Sequence, residues 1–119
     1  MVTAEPVGQQ LVLLDPNGRL TAETVPEFNR VVSKWLRRGW RDLILDLRSV
    51  NYLDSAGLGA LAHAYLLSRR RGGRAVFVNV DGRNRELLRI TKLLTVFEVY
   101  DSTAAARYSF RRPSAATLT

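Results

Sequence analysis

Short apolar runs punctuate this chain, and longer amphipathic stretches separate them. Leu11-Val12-Leu13-Leu14 is unbroken and predicts a buried strand over residues 10–14. Asp15-Pro16-Asn17-Gly18 follows with strong turn chemistry, and residues 1–7 are expected to add an edge strand. From Thr24 to about Arg38 the period changes. Val25, Phe28, Val31, Val32, Trp35 and Leu36 recur at helical spacing and mark one buried face. Thr24 and Glu27 have capping-box spacing, Pro26 suits a first turn, and Gly39 supplies the stop.

Leu43 to Leu47 predicts a second buried strand, close enough behind the helix for a βαβ crossover. Val50–Leu53 then leads into a second predicted helix, from about Ala56 to Arg70. Its expected apolar stripe is Leu58, Leu61, Ala62, Tyr65 and Leu66, and Gly72-Gly73 ends it. A strand over 75–80 and a helix over 84–94 come next, with Leu87, Leu88, Ile90 and Leu94 as core candidates. A short strand over 96–99 and a short helix over 102–108 close the series. Strands alternating with helices predict an α/β fold: a mixed sheet of four to five strands flanked by about four helices. One domain is expected over residues 1–110. Residues 111–119 read as a tail without fixed structure.

A chain of 119 residues suits one hydrophobic core. No unbroken apolar window of about 18 residues exists for a membrane span, and no apolar run near Met1 suggests a secretory signal. Cysteine is absent, which fits a reducing compartment, and a cytoplasmic location is expected. With His63 as the one histidine, material for a metal cluster or a Ser-His-Asp triad is lacking. Phosphate-cradling and dinucleotide-binding glycine motifs are missing too. No cofactor, metal or enzymatic activity is therefore expected.

The net charge is +7. Arg37, Arg38 and Arg41 flank one predicted helix end, Arg69 to Arg71 another, and Arg111 and Arg112 stand in the predicted tail. Cations at helix C-termini are favoured by about 0.3–1 kcal/mol each, so this distribution reads as solvated helix ends. Arg69 to Arg74 lacks interleaved aromatics, and no nucleic-acid partner is expected from it. A basic binder of nucleic acid or anionic membrane stands as a rival class, recognisable by steep salt dependence.

The most informative segment is Asp54-Ser55-Ala56-Gly57-Leu58-Gly59. Ser55 opens a helix, and two readings stand. Its hydroxyl can serve as N-cap, accepting a first-turn N–H. Alternatively, it can be a modification site. A helix N-terminus favours an anion, and a phosphate would bring about −1.5 to −2 charges beside Asp54. Ala56, Gly57 and Gly59 would leave the hydroxyl unshielded. Two glycines in a first turn each cost about 1 kcal/mol relative to alanine, so close approach of another backbone is the expected reason for them. His63 falls on the polar side of this helix, as a solvated residue or a partner contact. Asp46 reads as a loop-capping carboxylate rather than a cation ligand.

The run Tyr52-Leu53-Asp54-Ser55-Ala56-Gly57-Leu58-Gly59-Ala60-Leu61 resembles the signature of anti-sigma factor antagonists, in the STAS domain family. Gly18-Arg19-Leu20, residues 42–47 and residues 85–91 resemble further family segments, so the likeness spans roughly residues 8 to 110. It implies a non-enzymatic regulator that binds an anti-sigma factor, often a serine protein kinase, and so releases a sigma factor. It further implies that this kinase phosphorylates Ser55 and abolishes binding, and that a phosphatase reverses the change. The implied partner surface is Asp54, Ser55, Ala56, Gly57, Gly59, Ala60 and His63, on a protein monomeric when free. Three positions depart from the pattern: Thr21 where an acidic residue is frequent, Lys92 where glycine is frequent, and Ala56 where Ser or Thr is frequent. The alternative implied by the family is a STAS subunit of another assembly, such as a lipid transporter, with a constitutive interface.

Overall fold

The computed structural model describes residues 1–111. In chain order the elements are β1 (Thr3–Gly8), β2 (Leu11–Asp15), β3 (Gly18–Leu20), α1 (Val25–Arg37), β4 (Asp42–Asp46) and β5 (Val50–Leu53). There follow α2 (Ser55–Arg70), β6 (Ala75–Val78), α3 (Gly82–Ile90), a 3-10 turn at Leu93–Thr95, β7 (Glu98–Tyr100) and α4 (Thr103–Arg111). Five strands form one mixed sheet in the order β1-β2-β4-β6-β7. β1 pairs antiparallel with β2, and the other pairs are parallel.

The apolar runs have a simple cause. β4 and β6 are central and covered on both faces, so they are apolar at successive positions instead of alternating ones. Leu43, Leu45 and Phe77 point toward α1 and α2, where Phe28, Val32, Leu36 and Leu61 complete the larger core. Ile44, Val76 and Val78 point to the other face, where Ala106 and Phe110 of α4 cover them. Each fully buried Val, Leu, Ile or Phe side chain among these contributes about 1.5–3 kcal/mol.

Outside this sheet, β3 and β5 pair in parallel as a separate two-stranded sheet. Their last residues, Leu20 and Leu53, lie side by side and both are buried. This small sheet delivers the chain to the start of α2.

Four local expectations change. Thr24 precedes α1, but the capping box does not form. The Thr24 hydroxyl donates to Arg19 O and accepts the N–H of Thr21, both at 2.9 Å, because the tight turn after β3 needs those backbone groups satisfied first. The third helix ends at Ile90, and Ile90 is exposed rather than in the core. Lys92 then adopts φ 67°, in the left-handed region, before the 3-10 turn. Arg111 closes α4 instead of opening the tail. The rest of that tail, 112–119, lies outside the described residues.

Candidate functional site

The start of α2 is capped by Asp54, not by Ser55. Asp54 is extended (φ −106°, ψ −174°), as an N-cap must be, and its Oδ1 accepts the Gly57 N–H at 2.8 Å. Its Oδ2 accepts the Ala22 N–H, at 3.2 Å, from the turn between β3 and α1. One carboxylate thus caps the helix and ties it to a loop 32 residues earlier. The Gly57 N–H, opposed by partial burial and helped by Ala22, holds the Asp54 carboxyl below its usual pKa. With the cap taken, Ser55 is the first helical residue. The residue is exposed, and its hydroxyl takes no part in closing the helix start.

The two first-turn glycines have different causes. A Cβ on Gly57 would overlap Leu20 O and press on the Leu53 side chain, so this glycine lets α2 approach the small sheet. A Cβ on Gly59 would meet nothing within 4 Å. The protein's own packing therefore does not require a glycine at position 59.

Of the residues expected on the partner surface, Ser55, Gly59 and His63 are exposed, at successive four-residue steps on one side of α2. Asp54 and Ala56 are half-buried at its edge. Gly57 and Ala60 are buried and shape the surface from beneath instead of contributing to it. The expected apolar stripe is displaced as well. The buried side of α2 is Gly57, Ala60, Leu61, Ala64 and Ser68, while Leu66 is 49% exposed beside His63. Small residues face inward because the helix lies close to backbone: Ser68 Oγ donates to Arg41 O. This leaves a face of Ser55, Gly59, Ala62, His63 and Leu66, flat at one end and apolar at the other.

Two features escape sequence reasoning. Tyr52, 40% exposed just before the cap, has the guanidinium groups of Arg19 and Arg83 at 5.0 and 5.6 Å from its ring centre. These residues are far apart along the chain, and no local pattern links them. Leu66 was hidden by its place in an apolar stripe. Asp46 behaves as read: its Oδ1 accepts from Arg48 N–H and Asn79 Nδ2, closing the loop after β4. Among the described residues no cluster of His, Cys, Asp or Glu could hold a metal ion, and no helix is long and apolar enough to cross a membrane.

A five-stranded mixed sheet, a separate β3–β5 pair and a helix opening on Asp-Ser-Ala-Gly define a class of small regulatory domain. The STAS domain model matches residues 3–106, and the chain belongs to that family. The anti-sigma-B factor antagonist of Staphylococcus aureus is 30% identical over 86 residues, covering 72% of this chain and 80% of that protein. A Thermotoga maritima structure, assigned as an anti-sigma factor antagonist, superposes with a TM-score of 0.86 at 26% identity, over 92% of this chain and 94% of that one. The Bacillus protein SpoIIAA, solved unphosphorylated and phosphorylated, shares the fold. Both forms give a TM-score of 0.75, at 17% and 18% identity, over 96% and 94% of this chain and all of theirs.

Proposed function

We propose that this protein is an anti-sigma factor antagonist that docks through the exposed face of α2 and is switched off by phosphorylation of Ser55. The partner is an anti-sigma factor with serine kinase activity, and a phosphatase restores docking. The observation that carries this reading is the exposed Ser55 hydroxyl at a helix start already capped by Asp54. A phosphate there would add charge to a docking face without removing a bond that holds the fold.

The magnitudes agree with a block on binding rather than an unfolding switch. An anion at a helix N-terminus gains about 0.3–1 kcal/mol. Repulsion from the solvent-screened Asp54 carboxylate opposes that gain. Neither effect approaches the stability of a folded domain. Against a partner surface packed on Ser55 and Gly59, burying a dianion without a counter-charge costs several kcal/mol. SpoIIAA supports the same view, since its two phosphorylation states match this fold equally well.

The test is a pull-down from native lysate with wild type, Ser55→Ala and Ser55→Asp, with intact mass measured on the recovered protein. Wild type and Ser55→Ala are expected to retain a kinase-like protein, and Ser55→Asp to lose it. A mass increase of one phosphate should occur in wild type alone. If all three variants retain the same partner and Ser55 is never modified, the switch is wrong. Recovery of transporter subunits in its place would favour the constitutive alternative.

A further inference from the structure

The arginines that close the helices converge. Arg37 and Arg38 stand at the end of α1, and Arg69, Arg70 and Arg71 at the end of α2. Arg71 Nη1 donates to Leu36 O at 2.8 Å, so these two ends touch. Ser68 Oγ donates to Arg41 O, and Arg41 N–H donates to Gln10 O, which sets Arg41 between α2 and the start of β2. Arg74, leading into β6, lies 4.4 Å from the centre of the Phe110 ring and reaches the Ser109 hydroxyl. Arg107 donates to Val7 O, and with Arg41 and Arg111 it lines a cavity of about 580 Å³.

These nine arginines share one pole, where the parallel strands begin and α1, α2 and α4 end. Two carboxylates stand with them, Asp42 and Glu98. These arginines exceed those carboxylates by seven. Compensation of helix dipoles is too small to explain it. Three C-termini supply roughly −0.5 each, which offsets fewer than two of the seven charges.

The surroundings select the ligand. Arginine dominates the pole, with Lys34 added from the last turn of α1, and its planar fork suits phosphate oxygens. An interfacial membrane site would need apolar side chains to insert. Among the described residues the pole exposes Tyr108 and, just before β7, Val96, which together make no continuous apolar face. Single-stranded nucleic acid would need a succession of free aromatic platforms, and Tyr108 offers a single one: Trp40 packs edge-on against Trp35 at 5.3 Å and Phe110 is covered by Arg74. The pole presents helix ends rather than a helix flank, so contacts fall on phosphates and not on base edges. We infer that this pole binds the phosphate backbone of duplex DNA without reading its sequence. The length of α2 sets it about 22 Å from Ser55, so the two surfaces can be occupied together.

Fluorescence anisotropy with a labelled duplex of about 20 base pairs tests this, starting near 50 mM KCl. For wild type, log K should fall against log salt with a slope of roughly −3 to −5, as expected for four or five neutralised phosphates. Arg37→Glu/Arg38→Glu/Arg70→Glu should bind at least tenfold more weakly at low salt and lose about 3 from that slope. Arg30→Glu/Arg48→Glu/Arg83→Glu carries the same change in net charge and should keep the wild-type slope. Thermal melts establish that both are folded, and glutamine in place of glutamate serves if a reversal is not. Ser55→Asp should bind the duplex like wild type, which separates this result from the fate of the switch. The inference is overturned by absence of duplex binding at low salt or by equal slope losses in both triple variants. Tighter binding to phosphatidylglycerol vesicles than to duplex at the same salt would overturn it as well.

Discussion

Gly57 and Gly59 stand two residues apart in α2, yet a methyl group on each meets different surroundings. At Gly57 it would strike Leu20 O, a backbone atom held in the small sheet. Gly57→Ala should therefore destabilise the fold by roughly 1–3 kcal/mol or more. At Gly59 the space is open. Gly59→Ala should stabilise the helix by up to about 1 kcal/mol and, on the proposed docking face, weaken partner capture. Urea denaturation with unchanged m-values separates the two, and similar losses at both sites would contradict the packing described. Asp54 supplies a pH test. Its pKa is lowered in the folded state, chiefly by the Gly57 N–H, so its contribution to stability is present above the unfolded value. That contribution is lost as pH falls from about 4 through the depressed value. Asp54→Asn keeps a capping oxygen but does not titrate. The stability gap between wild type and Asp54→Asn should thus close on acidification, and urea midpoints at neutral and acid pH would show it. Sequence alone could not decide between Asp54 and Ser55 as cap, because both are strong cap residues and only the extended backbone at Asp54 distinguishes them.

At the scale of elements, the strands were the most readable feature. Double burial forces unbroken apolar runs, and β2, β4 and β6 all carry one. α1 was equally plain, since its buried Phe28, Val32 and Leu36 follow helical spacing. In α2 the expected stripe is only partly inward: Leu61 is buried, Leu58, Ala62 and Tyr65 pack at the edge of the core, and Leu66 is exposed. The centre of the inward side is made of small residues that let the helix come close to backbone, which a search for large apolar side chains does not register. β3 was legible as a family segment but not as a strand, because three residues carry no period of their own. The end of α3 gives a physical reason for glycine at the position that Lys92 occupies here. Lys92 holds φ 67°, a conformation that costs a residue with a Cβ about 1–2 kcal/mol. Glycine avoids that cost and loses some of the gain to backbone entropy. Lys92→Gly should raise stability by about 0.5–1 kcal/mol and the Tm by about 3–5 °C. A calorimetric scan showing no rise would mean that the Lys92 side chain offsets its own strain.

For the molecule as a whole, alternation of strand and helix was enough to foresee a mixed sheet with flanking helices. It was not enough to foresee the β3–β5 pair standing apart from that sheet, which is a property of long-range pairing. The charge is similar. Read along the chain, the arginines look like separate helix ends. Parallel connection brings those ends to one pole, so the distribution changes meaning only after the chain is folded.

The division of labour between Asp54 and its neighbour has a consequence for how such a device stores a signal. Since the carboxylate closes the helix and fastens the β3–α1 turn, the reversible modification proposed for the adjoining hydroxyl would disturb neither. A mark placed there would leave one folding equilibrium for both forms, and cellular proteases would clear them at the same pace. The record would then last as long as the covalent bond that carries it, independent of the lifetime of the chain's shape.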